Sequence, residues 1–377
     1  SRTDTVFNVD NYHPLAQSVL SSGSLHLDGR PSAKREPLYP IALAAAYGLG
    51  GQRYDAVWAA HCLLGTATVA LVFLLGLRLF GPPEAWLAAG LAAVYPQFLY
   101  YAAFPGRETF VTFLFPAALL SSLALFRSPS RPLVVGAAAL WASLPLANTA
   151  FLPAAALSGP ALWLAGRRLG RDLRGWAAAL TLGVLALWGL WPLRNALAFG
   201  RFIPGMEEGG AHVYVQFVVP NWAFGLKEEG EFLGRDPVVR EGMALPPVER
   251  DRFFYRAAVS RVLEHPLGFV KIMFTSFVKM WRLYPYPRQY PGGYAKVLAV
   301  SLLSDGWLVP LAFIGMFLAG VRRPELALVN APLAAVIGVY MVMWAIIRYR
   351  LPLMPLMLVY AAHGLGRLAA RLRPRGA

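Results

Sequence analysis

The sequence predicts an all-α protein that crosses a membrane about nine times. Hydrophobic residues make up 57% of the 377 residues and charged residues 15%, whereas soluble domains carry about 25% charged residues. The apolar residues fall into long stretches, and a helix needs roughly 20 of them to cross about 30 Å of hydrocarbon. Arginines collect in the short segments between the stretches. These three observations indicate an integral, multi-pass membrane protein.

We predict nine membrane spans from the apolar stretches. Their limits lie near residues 54–80, 84–104, 109–126, 133–147, 148–166, 176–198, 296–320, 327–347 and 351–371. The fourth and fifth stretches are the least regular, because Pro145, Asn148 and Pro153 interrupt them. That part of the chain is therefore either two spans or one kinked span.

The basic residues predict the orientation of the chain, because cytoplasmic loops carry an excess of Lys and Arg. Nine spans place all of the following on the cytoplasmic side: Arg127, Arg131, Arg167, Arg168, Arg171, Arg174, Arg322, Arg323, Arg371, Arg373 and Arg375. The turns at 105–108 and 348–350 then face outward. This topology accounts for most of the net charge of +15. Scattered arginines do not form a basic domain for nucleic acid.

The predicted topology divides the chain into four parts. Residues 1–53 form a first external loop and residues 54–198 an N-terminal transmembrane bundle. Residues 199–295 form a second external region, and residues 296–377 form the last spans and a cytoplasmic tail. Both external parts contain apolar residues at helical spacing, which predicts interfacial helices. These are expected at residues 11–22, 37–49, 247–263 and 267–283.

Charged side chains at membrane level are costly, so each is a candidate functional residue. Asp10 precedes the first interfacial helix; it is either a general base or the N-cap of that helix. Tyr12 and His13 are polar neighbours. Arg35 either binds a phosphate through its guanidinium or anchors the chain at lipid headgroups. Glu36 either pairs with Arg35 or faces the site.

Further candidates lie at the predicted outer ends of spans. Glu108 begins a helix, where the helix dipole favours an acid, or points into an outward cavity. Arg194 and Asn195 lie where a span leaves the membrane, and Arg348 and Arg350 lie in the last outward turn. Arginines on this side run against the positive-inside bias, which favours a phosphate or carboxylate partner.

Several classes of site are absent from the sequence. There is no Walker loop, dinucleotide fingerprint or metalloprotease helix motif, and the lone Cys62 excludes a disulfide framework and a thiolate metal site. An outward-facing site cannot use cytosolic nucleotide donors. It needs a substrate delivered through the membrane, and a lipid-linked substrate suits arginines at the interface.

Four stretches resemble the GT-C glycosyltransferases, in the family 39-like branch of the protein O-mannosyltransferases and bacterial aminoarabinose transferases. Asp10, Tyr12 and Ala16 resemble the first external loop of that superfamily, and REPLYPIALA resembles the element that follows it. WPLRNALAFGRFIPGMEEGG and RYRLPLMPLMLVYAAHGL resemble a stretch after a mid-chain span and the last span. GRETFVTFLF also resembles the second external turn.

The resemblance implies a GT-C-like bundle, with one further span expected ahead of Ser1 and missing from this chain. It implies inverting transfer of a sugar from a polyprenyl phosphate to an acceptor hydroxyl of a protein, lipid or glycan. The expected site faces the exterior of the plasma membrane and holds no metal or resident cofactor. Asp10 would be the base and Glu108 a second acid near the acceptor. The residues expected to contact substrate are Tyr12, His13, Arg35, Glu36, Arg194, Asn195, Arg348 and Arg350.

Two other functions compete with this one. The first is a catalytically degenerate GT-C-like scaffold subunit of a membrane complex. The second is a lipid-phosphate transporter, for which ionisable residues in the middle of spans and inverted repeats would be typical. The charged residues here lie at predicted outer ends of spans, which disfavours the transporter.

Overall fold

The computed structural model describes residues 9–207, 209–220, 223, 226–290, 292–320, 323–343 and 345–372. Three of the arginines used to orient the chain, Arg322, Arg373 and Arg375, lie outside these residues. The helices are α1 (Tyr12–Ser22), α2 (Leu38–Gly50), α3 (Tyr54–Leu79), α4 (Pro82–Ala93), α5 (Pro96–Ala102), α6 (Arg107–Arg127), α7 (Arg131–Ala147), α8 (Leu152–Arg168), α9 (Arg174–Phe199), α10 (Gly209–Val215), α11 (Lys227–Arg235), α12 (Pro237–Met243), α13 (Pro247–Glu264), α14 (Pro266–Met280), α15 (Tyr294–Ala319), α16 (Pro324–Val342) and α17 (Met354–Leu372). Short 3-10 turns lie at Val9–Asn11, Thr149–Phe151, Pro287–Gln289 and Ile347–Leu353.

Seven segments of the described residues are long and apolar enough to cross a membrane, which confirms an all-α, multi-pass membrane protein. They are Tyr54–Leu79, Arg107–Arg127, Thr149–Arg168, Arg174–Phe199, Tyr294–Ala319, Pro324–Val342 and Ile347–Leu372. Helices are also present at the four positions where interfacial helices were predicted, as α1, α2, α13 and α14.

Two of the nine predicted spans differ from the structure. Residues 84–104 do not form one helix: α4 ends at Ala93 and α5 begins at Pro96. Proline disfavours helical backbone at the residue before it, and Tyr95 is extended, with φ −67° and ψ 115°. The span predicted at 133–147 is α7, whose 17 residues give a length of about 25 Å. Extended backbone at Asn148 separates α7 from α8, so this pair is two helices.

The chain divides into two compact units. Unit 1 contains residues 1–204, 307–336 and 351–377, and unit 2 contains residues 205–306 and 337–350. The four predicted parts of the chain follow membrane topology, whereas these units follow contacts. The two divisions therefore differ most in residues 296–377. There, α15, α16 and the last 3-10 turn each have residues in both units.

The core of unit 1 is built around α17. Every residue from Met354 to Ala362, the first half of α17, is buried, and a helical stretch that is apolar on all sides belongs in an interior. It packs against α4, α3 and α6, while α9 packs against both α7 and α8. By contrast, only 28% of the apolar stretch is buried in each of α3 and α9, as is typical of lipid-facing helices.

The first segment of unit 1 folds over this bundle. A two-residue turn, Asp28-Gly29, joins β1 (His26–Leu27) to β2 (Arg30–Pro31), and both turn residues have positive φ. That turn type matches the twist of a hairpin. Helices α1 and α2 pack on each other, and α2 also packs against α3. Tyr12, Tyr39, Leu43 and Tyr47 are among the buried residues between them. This packing fixes the residues on either side of α1.

Unit 2 has its own apolar core between short helices. α10 and α12 pack against α13, and α13 packs against α14. Tyr214, Val239, Phe254 and Ala258 are buried there. Gly210 allows the close approach of α10 to α13, since a Cβ at that position would lie 2.9 Å from the Tyr255 nitrogen.

Candidate functional site

Asp10 lies in an unusual backbone position directly before α1. Asp10 has φ 57° and ψ 20°, and Asn11 has φ 62° and ψ 18°, so two successive residues are left-handed. Asp and Asn tolerate this region better than other non-glycine residues. The N-cap of α1 is Asn11, whose side chain makes no capping hydrogen bond. The N-cap position is thus occupied by Asn11, one residue after the Asp10 that the sequence offered for it.

Arg35 holds Asp10 from the start of the segment that leads into α2. Its Nε donates to the Asp10 main-chain oxygen at 2.8 Å, and its Nη2 lies 3.3 Å from Asp10 Oδ1. The Asp10 side chain keeps 33% of its surface exposed, against 14% for Arg35. The carboxylate is therefore both fixed and accessible to a molecule in solvent or lipid.

Glu36 is buried beside this pair and is held by two other segments. Its Oε2 lies 2.6 Å from Arg107 Nη1, and its Oε1 accepts a hydrogen bond from the Thr149 main-chain nitrogen at 2.8 Å. Glu108, the next residue along α6, is also buried in the first turn of that helix. An acid there is favoured by the helix dipole.

Tyr12 lies close to four of these charged side chains. Burial raises its pKa above the ordinary range, Glu36 and Glu108 raise it further, and Arg107 and Arg35 oppose the shift. Four charged side chains are therefore close enough to act on a single phenol. The structure brings together in unit 1 the predicted residues Asp10, Tyr12, Arg35, Glu36 and Glu108.

The sequence analysis did not single out Tyr39, which contacts Tyr12, or His61, which contacts Tyr39. The Tyr39 ring meets Tyr12 edge-on, with centroids 4.8 Å apart. Its hydroxyl shares a hydrogen bond of 3.1 Å with Nε2 of the buried His61. Burial and Glu108 raise the pKa of Tyr39. The sequence feature that could have identified this pair is His61, because a polar side chain inside an apolar membrane span is a candidate functional residue.

His13 lies on the same helix but has a different neighbour. Its Nδ1 and the Tyr47 hydroxyl are 2.9 Å apart, and the rings meet edge-on. Burial raises the pKa of Tyr47 to about 12, so this hydroxyl keeps its proton at neutral pH. The contact joins α1 to α2.

Arg194 and Asn195 lie near the end of α9 and contact main-chain oxygens. Arg194 donates to Ser32 O at 3.1 Å and to Leu25 O at 3.0 Å. The buried Asn195 donates from Nδ2 to Ile203 O at 3.0 Å. These contacts favour a role in holding the first segment and the end of α9. Their expected contact with substrate remains a prediction.

Arg348 and Arg350 lie in unit 2. Arg350 is fully buried: its Nη2 lies 2.5 Å from Asp305 Oδ2, and its Nη1 donates to Arg282 O at 2.7 Å. A buried arginine with a carboxylate partner is typical of a structural ion pair. The predicted contact of Arg348 and Arg350 with a lipid phosphate remains a prediction.

No group of three or more His, Cys, Asp or Glu side chains among the described residues is placed to hold a metal ion.

No protein-family model matches the chain, and no curated protein matches it in sequence. Solved structures do match it. The oligosaccharyltransferase from Archaeoglobus fulgidus in complex with zinc and sulfate is 17% identical, with a TM-score of 0.57 over 96% of this chain and 45% of that chain. The archaeal oligosaccharyltransferase AglB from the same organism, in complex with an inhibitory peptide and a dolichol-phosphate, is 16% identical, with a TM-score of 0.55 over 96% of this chain and 46% of that one.

ArnT from Cupriavidus metallidurans bound to undecaprenyl phosphate is 16% identical, with a TM-score of 0.43 over 97% of this chain and 74% of that chain. The chain spans less than half the length of the archaeal oligosaccharyltransferase. The likeness to that protein is one of fold, and the chain has the GT-C membrane fold that the sequence motifs led us to expect.

Proposed function

We propose that this chain is a membrane glycosyltransferase that moves a sugar from a polyprenyl-phosphate donor to an acceptor hydroxyl. The reaction takes place at the outer face of the plasma membrane, with inversion at the anomeric carbon. The observation that carries the proposal is the fixed, accessible Asp10 carboxylate, which Arg35 holds within a group of buried charges on a GT-C fold. Structures of this fold include one with a dolichol-phosphate.

The proposed chemistry is a single displacement. The acceptor oxygen attacks the anomeric carbon while the bond from that carbon to the phosphate oxygen breaks. Asp10 takes the acceptor proton, and general-base catalysis of this kind contributes about 10²–10⁴-fold. The polyprenyl phosphate leaves with the bonding electrons, and a guanidinium stabilises the charge that builds on it. As the resemblance implies, the scheme contains no metal or resident cofactor.

Arg35 is the proposed phosphate contact with the best-placed geometry. It contacts the base, and its side chain is 14% exposed, whereas that of Glu36 is 2% exposed. Its planar fork can bind two phosphate oxygens at once. Because the same guanidinium contacts Asp10, donor binding and base position are coupled at this residue.

The direct test is Asp10→Asn in the purified protein in nanodiscs. Asn tolerates the left-handed backbone of this position, so the substitution removes the charge while the local conformation is retained. We expect transfer of label from a radiolabelled polyprenyl-phosphate sugar to native membrane acceptors to fall by about 10²-fold or more. Transfer at the wild-type rate would exclude Asp10 as the base.

Asp28→Asn is the matched control for this test. Asp28 is another acid with positive φ, at 49°, and it is exposed in the hairpin turn of the same unit. It has no part in the proposed chemistry, so its variant should transfer sugar at the wild-type rate. A wild-type protein that transfers no sugar from any polyprenyl-phosphate donor would overturn the proposed function itself.

A further inference from the structure

Glu36 and Arg107 form a largely buried ion pair next to Arg35, the residue that contacts the proposed base. Their closest atoms are 2.6 Å apart, and the side chains expose 2% and 18% of their surfaces. The two residues are 71 positions apart in sequence. A carboxylate this deeply buried is costly unless its oxygens find donors, and each of the two Glu36 oxygens has one.

The pair joins three parts of unit 1. Glu36 comes from the segment that leads into α2, and Arg107 begins α6. The second Glu36 oxygen accepts from Thr149 N at 2.8 Å, and Arg107 Nη1 also contacts Ala147 O at 3.3 Å. Both of these contacts lie at the break between α7 and α8. A single buried pair thus connects the first segment to the ends of three helices.

The connection extends to Asp10 through one peptide unit. Arg35 directly precedes Glu36. When the contacts of Glu36 hold its main chain in place, they therefore also hold the Cα atom from which the Arg35 side chain extends. Arg35 in turn contacts both the main chain and the carboxylate of Asp10, at 2.8 and 3.3 Å. The left-handed backbone at Asp10 is a sparsely populated conformation that its surroundings must hold in place.

We propose that Glu36 and Arg107 are positioning residues: a buried clamp that fixes Arg35, and through it Asp10, relative to α6, α7 and α8. Glu36 then acts on the reaction through Arg35 instead of through contact with the substrate. The catalytic part of this inference rests on the proposed function, whereas the clamp itself is a property of the folded chain.

Hydrogen exchange measured by mass spectrometry tests the clamp without an activity assay. Arg107→Gln leaves the Glu36 carboxylate buried without its guanidinium partner. We expect amide exchange of the full-length protein in nanodiscs to rise in residues 9–37 and around Thr149, because local opening of these segments becomes easier. Unchanged exchange in both segments would overturn the clamp.

Arg53→Gln provides the control. Arg53 pairs with Asp55 at 2.9 Å, but both side chains are largely exposed, at 73% and 70%, and exposed pairs contribute little. Its variant should exchange like the wild type. Should Arg107→Gln fail to fold, Arg107→Lys keeps the charge on a shorter side chain, which weakens the contacts to Glu36 and Ala147 O. It should show the same pattern at smaller amplitude, and wild-type exchange in this variant would equally contradict the clamp.

Kinetics then separate a positioning role from a donor-binding role. We expect Arg107→Gln to lower kcat for sugar transfer by about tenfold or more, while the KM for the polyprenyl-phosphate donor changes less than about threefold. Glu36→Gln should behave alike, and the double variant should be no worse than the poorer single variant, because both changes break one contact. A rise in donor KM alone, or losses that multiply, would contradict a shared positioning role.

The two parts fail in distinguishable ways. A wild-type protein without transfer activity would overturn the proposed function but leave the exchange result decisive for the clamp. Normal transfer with unchanged exchange in Arg107→Gln would overturn the clamp and leave the proposed function in place.

Discussion

The guanidinium of Arg194 connects the end of α9 to the first segment of the chain. It donates to Ser32 O and Leu25 O, which lie 162 and 169 positions away in sequence. It also lies over the Trp191 and Phe199 rings, at 5.2 and 5.7 Å from their centroids. A flat, delocalised cation suits all four contacts, so the identity of the side chain matters as well as its charge.

This geometry predicts that Arg194→Lys destabilises the protein. A lysine ammonium is a point charge that cannot reproduce both carbonyl contacts and the two ring contacts. Hydrogen bonds of charged groups contribute about 1.5–3 kcal/mol each, so the thermal midpoint of the detergent-purified protein should fall by several degrees. Arg201→Lys, at an exposed position just past α9, is the control. Equal midpoints for both variants would show that Arg194 contributes only charge.

At the same scale, the sequence indicated which residues are polar at membrane level but not how they pair. Asp10, Arg35, Glu36 and Glu108 were all candidates. The structure brings the last three close to Tyr12 and places Asp10 in contact with Arg35. Pairing depends on contacts between distant positions, such as Glu36 with Thr149, 113 residues away. No local pattern contains that information. A tyrosine in an apolar helix, such as Tyr39, has the same sequence context whether it only packs or also supports a site.

Prolines show what the sequence could and could not establish at the scale of elements. Most predicted helices are present, since length and apolar composition suffice to identify them. Pro96 marks a break between helices, whereas Pro116 and Pro192 lie inside α6 and α9. Membrane helices tolerate proline when neighbours satisfy the freed backbone groups. Whether a given proline ends a helix therefore depends on packing that the sequence does not display.

The crossing of α15 and α17 leads to a prediction about a glycine. A Cβ on Gly315 would collide with the Tyr360 main-chain oxygen and lie 2.7 Å from the Tyr360 carbonyl carbon. Backbone atoms cannot move aside as a flexible side chain can, so Gly315→Ala should force the helices apart. Small residues at such crossings allow close packing of membrane helices. We expect a cost of about 1–3 kcal/mol, as for other overpacked interiors, measured as a lower thermal midpoint.

Gly90→Ala is the control for this prediction, because a Cβ on Gly90 in α4 meets no atom within 4 Å. Alanine has the higher helix propensity, by about 1 kcal/mol, so this variant should be as stable as the wild type or slightly more stable. A Gly315→Ala protein with an unchanged midpoint would show that the crossing is not tightly packed.

At the scale of the whole molecule, the proposed function depends on which side of the membrane the first segment faces. Helix ends in the described residues agree with the predicted arginine-rich turns: α6 ends at Arg127 and α7 begins at Arg131, while α8 ends at Arg168 and α9 begins at Arg174. The positive-inside rule predicts that these turns face the cytoplasm. Asp10 and Arg35 must lie on the opposite side if the donor is presented outside.

Cysteine labelling tests this orientation directly. In a Cys62→Ser background, Asp28→Cys in the first hairpin and Gly230→Cys in α11 should react with a membrane-impermeant maleimide in intact cells. Gly170→Cys, in the turn between α8 and α9, should react only after the cells are permeabilised. All three positions are exposed, so a missing reaction reports the side of the membrane. Labelling of Gly170→Cys, but not of Asp28→Cys, in intact cells would place the Asp10 carboxylate on the cytoplasmic side. An external donor could then not reach the proposed base.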